Sequence, residues 1–226
     1  MNLFQTDYWS PLKLSLEVSA ISVVLVLIFG IFLGRFMSRI DFKGKLVVET
    51  FLMLPIVLPP TVIGFLLIFI FGRNSPVGSF LEAIFSHSIM FTTWAAIIAS
   101  TVVAFPLMYQ TVKIGFQSVD RDIEEAARVD GASELKVFFY ITLPLSIKSI
   151  VAGLILSYAR ALGEFGATFM FAGNIPGRTQ TAPIAVYVAM ESGNMKTAWI
   201  LVISMVFISF CMLILTNFLN TKSKKP

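Results

Sequence analysis

Val119-Asp120-Arg121-Asp122-Ile123-Glu124-Glu125-Ala126-Ala127-Arg128-Val129-Asp130-Gly131, followed ten residues on by Ile141-Thr142-Leu143-Pro144, is a polar island in a chain otherwise built for lipid. Asp120 or Asp122 can cap a helix start, and Gly131 can stop that helix in a left-handed turn. The stretch therefore predicts a short helix outside the bilayer. Ile123, Ala126, Ala127 and Asp130 recur at three- and four-residue spacing, which gives the helix a small, shallow apolar face with carboxylates at its edges. A second turn follows Gly131, in which Leu135, Phe138 and Phe139 can lie against the membrane interface before Pro144 leads into the next apolar run.

The rest of the chain decides what surrounds the island. Of 226 residues, 57% are hydrophobic and only 13% charged, with a mean hydropathy of +0.85. A soluble domain carries about a quarter charged residues, so this is the composition of an integral membrane protein. One cysteine, Cys211, and one histidine, His87, cannot build a disulfide framework, a thiolate metal site or a histidine cluster. No metal and no cofactor are expected. The N-terminus lacks a basic region with a short apolar stretch and a small-residue cleavage site, so the first apolar run is expected to be a retained span.

A helix needs about 20 apolar residues to cross the hydrocarbon. Runs at about 15–34, 46–71, 88–110 and 197–219 qualify, and a fifth, about 147–163, carries Arg160 and leads into Glu164. The stretch 165–191 is broken by Gly173-Asn174-Ile175-Pro176-Gly177 and by Pro183, which suits re-entrant or interfacial segments and leaves a sixth, short span open. The expected fold is an all-α polytopic membrane protein of five spans, six at most, in one domain covering residues 1–226. Lys and Arg collect on the cytoplasmic side of a membrane protein. Twelve of them do so here if the loops bearing Arg35, Arg39, Lys43, Lys45, the island's Lys113, Arg121, Arg128, Lys136 and Lys148, and the terminal Lys222, Lys224 and Lys225 are inside. Only Lys13, Arg73, Arg178 and Lys196 then fall outside. The N-terminus is expected outside, the island (about 119–144) and the C-terminus in the cytoplasm.

Glu125-Ala126-Ala127, three residues, Gly131, nine residues, then Ile141-x-Leu143-Pro144 resembles the "EAA" motif of the permease subunits of ABC importers. That resemblance implies a type I importer permease fold. It also implies that the short helix is a cytoplasmic coupling helix, seated in a groove of a separate ATPase through Glu124, Glu125, Ala126, Ala127, Arg128, Asp130 and Gly131. Small alanines permit close approach and carboxylates offer partners to basic residues. The chain has no Gly-x-x-x-x-Gly-Lys-Ser/Thr loop of its own; at Lys43-Gly44-Lys45, Arg39 stands where the first glycine belongs. It is expected to be a transport subunit and not itself an enzyme.

Leu54-Pro55-Ile56-Val57-Leu58-Pro59-Pro60-Thr61-Val62-Ile63-Gly64-Phe65 and Ala159-Arg160-Ala161-Leu162-Gly163-Glu164-Phe165-Gly166-Ala167-Thr168, continuing through Asn174-Ile175-Pro176-Gly177-Arg178-Thr179-Gln180-Thr181, are similar to molybdate permease subunits. The resemblance implies import of molybdate across the inner membrane, with tungstate also accepted. A permease for sulfate or thiosulfate is the alternative. It further implies a homodimer, two cytoplasmic ATPase subunits and a periplasmic or surface-tethered oxyanion-binding protein, with no nucleic acid partner.

Two groups of residues are pathway candidates. Pro59, Pro60 and Thr61 fall near the middle of the second run, where prolines remove helix donors and free carbonyls that lipid cannot satisfy. They make either a packed kink or a discontinuous helix whose outer half presents its N-terminal end, at 61–64, to an oxyanion. Arg160 and Glu164 are four apart and would share one helical face, Arg160 about 20 Å along the helix from Ile147. They form either a structural ion pair or an attractor and its moderator on the pathway. Gly30 and Gly34 permit close helix approach. The segment 173–181 reads as a solvated outer loop, or by resemblance as part of the outer mouth.

Overall fold

The computed structural model describes residues 8–222, with side chains described to residue 214. Lys224 and Lys225, and the side chain of Lys222, counted in the orientation argument, lie outside the described residues. Helices follow one another as α1 (Trp9–Arg39), α2 (Lys45–Val57), α3 (Pro60–Phe71), α4 (Pro76–Phe85), α5 (Thr93–Gln117), α6 (Arg121–Val129), α7 (Glu134–Val137), a π-helical turn at Phe138–Thr142, α8 (Leu143–Leu145), α9 (Ile147–Leu162), α10 (Gly166–Ala172), α11 (Ala182–Glu191) and α12 (Met195–Lys222).

Among the described residues, α1, α5 and α12 are each long and apolar enough to cross a membrane. Two bent helix pairs, 45–57 with 60–71 and 134–145 with 147–162, bring the number to as many as five where each pair serves as one span. The run 46–71 is not one helix: α2 stops at Val57 and α3 starts at Pro60. Leu58, which precedes Pro59, is extended at φ −69 and ψ 141, as the clash with a following proline ring demands. Pro60 then takes the first position of α3, where a missing N–H costs nothing. Pro55, by contrast, is carried inside α2 without ending it. Likewise α9 has 16 residues, about 24 Å, and joins the segment 134–145 at a bend of 68°. The sixth span left open at 165–191 does not form, because α10 has 7 residues and α11 has 10, well short of the hydrocarbon thickness.

The chain divides into two compact units: the first part of α1 up to Ala20 with Pro60–Ser100 and the chain from Leu162 onward, and Ile21–Pro59 with Thr101–Ala161. In the second unit the core joins Val26 of α1, Ala104, Met108, Val112 and Phe116 of α5, and Ile150 and Ala161 of α9. Gly30 and Gly34 make the α1–α5 contact possible. A Cβ at Gly30 would stand 2.6 Å from Met108 Cγ, and one at Gly34 would stand 3.1 Å from Val112 Cγ1. Polar ties back up this packing where lipid offers no hydrogen bonds: Ser146 and Ser157 hydroxyls donate to the carbonyls of Gly115 (3.1 Å) and Ala104 (3.3 Å). Lys113 of α5 pairs with Glu49 of α2 at 2.6 Å, both mostly withdrawn from the surface. In the first unit Leu12, Ala182, Ala185 and Leu201 form one core, and the α11 start is tied by Ala182 N–H to Ser15 Oγ at 2.7 Å.

Candidate functional site

The island folds as a short, doubly capped helix. Asp120 accepts from the Asp122 N–H at 3.0 Å, and at the other end Gly131 takes φ +85. The Gly131 and Ala132 N–H groups close back on the carbonyls of Arg128 and Ala127, both at 3.0 Å. Each cap satisfies orphan backbone groups that nine residues of helix cannot satisfy themselves.

What fixes the rotation of α6 about its own axis is Glu124. Its side chain is fully buried, and its carboxylate meets Arg35 at 3.4 Å, Arg39 in closer contact, and Arg128 at 3.7 Å. The Thr142 hydroxyl, itself buried, also donates to it. The π-helical turn brings Thr142 there, and the Arg35 guanidinium lies 5.4 Å from the Phe138 ring centroid in the same turn. Arg128 is held from both sides, since its Nε and Nη2 also grip Glu134 at 2.5 and 3.2 Å. That hydrogen bond raises the Arg128 pKa and holds the Glu134 carboxyl below its usual range. A carboxylate can be buried here because the guanidiniums around it and the Thr142 hydroxyl offset the cost of removing it from water.

The seven residues grouped on the sequence as a docking set therefore divide. Glu124 is turned inward and reaches no surface, while Arg128 is half-buried against Glu124 and Glu134. Glu125, Ala126, Asp130 and Gly131 are exposed, and Ala127 is half-buried. Ile123, 48% exposed, and Val129, 87% exposed, complete an outward apolar strip with Ala126. Sequence reasoning missed Arg35, Arg39, Thr142 and Glu134. The available signal was the pair Arg35 and Arg39, one helical turn apart at the end of an apolar run and thus in need of an acid.

The pathway candidates are placed as follows. Pro59 and Thr61 are exposed and Pro60 half-buried at the start of α3. Arg160, half-buried, sits in the last turn of α9. The expectation that Arg160 and Glu164 share one helical face fails, because α9 ends at Leu162 and Glu164 lies beyond it. Glu164 is buried at 2% exposure and accepts the Ala167 N–H of α10 at 2.7 Å. Helix α10 packs on α3 through two glycines. A Cβ on Gly64 would stand 2.6 Å from Met170 Cβ and 3.2 Å from the Ala167 backbone, and one on Gly166 would stand 2.9 Å from Pro60 Cβ. Phe71 and Phe171 extend the contact with ring centroids 5.7 Å apart.

The segment 173–181 is a loop whose residues 174–178 are exposed, as expected, but it is tied together by its own hydrogen bonds. The Ile175 carbonyl accepts from the N–H groups of Arg178, Thr179 and Gln180 at 2.9 to 3.1 Å, and the Ile175 N–H returns to Thr179 Oγ1 at 2.9 Å. Gln180 donates to Asn174 at 2.8 Å, and Thr93 donates to the Arg178 carbonyl at 2.9 Å. Thr179 and Thr181 are buried.

An all-α chain with up to five crossings and a capped, inwardly bolted helix between two of them is the architecture of an importer permease. The chain belongs to the family of binding-protein-dependent transport system inner membrane components, which it matches over residues 26–225. It is 56% identical over 208 residues, 92% of either chain, to YvgM of Bacillus subtilis, which carries the provisional name of a molybdenum transport system permease protein. It is 40% identical to the molybdenum transport system permease proteins ModB of Escherichia coli K12, over 91% of either chain, and of Haemophilus influenzae, over 96% of this chain and 95% of that one. The fold is similar to that of a bacterial alginate ABC transporter in complex with an alginate-bound periplasmic protein (TM-score 0.75, 17% identity, 99% of this chain and 82% of that one). It is also similar to the MetNI methionine ABC transporter in inward-facing form (TM-score 0.70, 16% identity, 96% and 94%).

Proposed function

We propose that this chain is the permease subunit of an ATP-driven importer for molybdate, working as a homodimer with separate ATPase subunits and an oxyanion-binding protein outside the membrane. The observation that carries the reading is the bolted α6. Its exposed strip of Ile123, Ala126 and Val129, edged by Glu125 and Asp130, is a socket-sized apolar face presented by a helix that cannot roll. A push from an ATPase on such a helix travels through Glu124 into α1 and through Thr142 toward α9. The names of these relatives, molybdenum transport system permeases, favour molybdate as cargo; tungstate as a second substrate rests on the resemblance of the sequence motifs alone.

The N-terminus is outside, and α6 and the C-terminus are in the cytoplasm. Pro59, Pro60 and Thr61, at the N-terminal end of α3, together with Arg160, line the route of the anion. Glu164, buried and bonded to the α10 backbone, holds the turn that follows α9.

The test is ATP-dependent uptake of labelled molybdate by vesicles carrying the assembled complex. Glu125→Lys should abolish uptake while the purified permease keeps its stability within about 0.5 kcal/mol, as for a surface change. Uptake that survives this charge reversal would remove α6 as the coupling element. Competition by unlabelled tungstate but not sulfate is the expected pattern, and sulfate competing equally would replace molybdate with sulfate as the cargo.

A further inference from the structure

Beside the bolted helix lies a groove of about 720 Å³. One wall is the face of α1 bearing Leu27, Ile31 and Arg35, together with Ile28, Phe32 and Phe36; the other is the turn bearing Phe138, Phe139 and Leu143. Ile28, Phe32 and Phe139 are each more than half exposed. Arg35, Arg39 and Arg128 gather at one end, with Glu134 the acid lining it. Glu124 lies behind these arginines, fully buried. Counting both acids, one positive charge is left over. The side chains of Arg35, Arg39 and Arg128 remain 20%, 22% and 35% exposed, although Nε and Nη2 of Arg39 are themselves buried, so a ligand in the groove approaches chiefly from the side of Arg35 and Arg128. Each guanidinium has five donors, and the bonds to Glu124 and Glu134 use only part of that set.

The dimensions match half a bilayer. From Leu27 to Arg39, α1 rises about 18 Å, close to one leaflet's hydrocarbon plus the start of its headgroups. The wall is apolar over that length and turns cationic where headgroups begin. Tyr140, 80% exposed within the turn, is the type of residue that sits at such a boundary. Side chains at this depth meet lipid whatever else they meet, and forked guanidiniums pair well with a phosphodiester.

We propose that this groove holds one acidic phospholipid, its phosphate against Arg35, Arg39 and Arg128 and an acyl chain along Ile28, Phe32 and Phe139. Assigning it to the cytoplasmic leaflet rests on the orientation given above; the lipid site itself does not. The lipid fills the gap between α1 and the turn that carries Thr142, the two elements that hold Glu124.

Native mass spectrometry of the purified full complex, relipidated with phosphatidylglycerol or with phosphatidylcholine of the same chains, tests this directly. One phosphatidylglycerol per permease chain should be retained, with a preference of about fivefold or more over phosphatidylcholine for the excess charge. Ile28→Trp, which fills the groove without touching a charge, should remove that retention, whereas Val206→Trp, an exposed position on α12, should leave it. Equal retention of the two lipids, or retention unchanged by Ile28→Trp, overturns the proposal. Should Ile28→Trp fail to assemble, the wild-type complex with phosphatidylglycerol bearing a photoreactive acyl chain decides: adducts should concentrate in 27–40 and 138–143, and adducts spread equally over α12 would refute the site. None of these readouts depends on transport, so they stand or fall separately from the choice of cargo.

Discussion

The segments 120–144 and 163–181 both lie between spans, and both fix a short helix against the rest of the molecule, but by opposite means. In the first, charge does the fixing: Glu124 is drawn among Arg35, Arg39 and Arg128, and the apolar strip of α6 is left facing outward. In the second, contact does it: Gly64 and Gly166 let α3 and α10 touch almost backbone to backbone, and the 173–181 segment ties itself with its own amides. A charged bolt holds position while leaving a surface for a partner. A glycine contact leaves no such surface and tolerates no added atom. The first arrangement suits the coupling role proposed for α6, and the second a rigid contact.

The largest effect should come from drawing the bolt. Glu124→Ala leaves three arginines around an emptied, desolvated site, and breaking a buried pair in this way costs about 3–5 kcal/mol. The thermal midpoint of the permease in detergent should fall accordingly, far more than for the adjacent Glu125→Lys. A loss below about 1 kcal/mol would mean that packing, not charge, holds α6, and the contrast between the two segments would collapse.

The next effect tests the other segment. Gly64→Ala ordinarily gains about 1 kcal/mol in a helix interior, but here the new methyl must push aside Met170 Cβ and the Ala167 backbone, none of them the flexible end of a side chain. Overpacking of this kind costs about 1–3 kcal/mol, so the sign should be reversed to a net loss. A stabilised variant would show that α3 and α10 can slide apart.

How much of this could be read from the sequence follows the same division. The cap at Asp120 or Asp122, the stop at Gly131 and a kink or break at Pro59-Pro60 are local matters of backbone and neighbours, legible in the sequence as short sets of alternatives from which the structure takes Asp120 and the break. Which of two adjacent glutamates turns inward is not local. Glu124 and Glu125 differ by about 100° around the helix, and the choice is made by Arg35 and Arg39, some 89 and 85 positions earlier, and by Thr142 in a π-helical turn that no spacing rule announces. The shared face expected for Arg160 and Glu164 failed for a related reason. Their spacing was right for a helix, but α9 stops at Leu162, and the Glu164 carboxylate accepts the Ala167 N–H in the first turn of α10. The glycine, proline and amides of 173–181 announced a solvated loop, and 174–178 are exposed, but not the order within it, where the Arg178, Thr179 and Gln180 N–H groups converge on one carbonyl. Their bonds to one carbonyl, Ile175, depend on a fold that composition does not encode.

The smallest effect lies at the rim of the bolt, where Arg128 grips Glu134 in the open, with the Glu134 side chain 68% exposed. Hydrogen bonding from Arg128 lowers the Glu134 pKa from its ordinary 4.5, so the folded state favours the ionised form. Its contribution is therefore complete above that ordinary value and disappears as pH falls through the lowered one. Arg128 shifts the opposite way and stays charged throughout this range. Solvent screening limits such a pair to about 0.5 kcal/mol. The stability difference between wild type and Glu134→Gln should be of that size at neutral pH, begin to fall as the pH drops below the ordinary carboxyl value and vanish once it has passed the lowered one, by thermal unfolding in a detergent stable to acid. Both proteins share every other carboxylate, Glu124 included, so their difference isolates the rim. A difference that persists at low pH would mean that Glu134 supports α6 by packing, and would move the rim to the side of contact rather than charge.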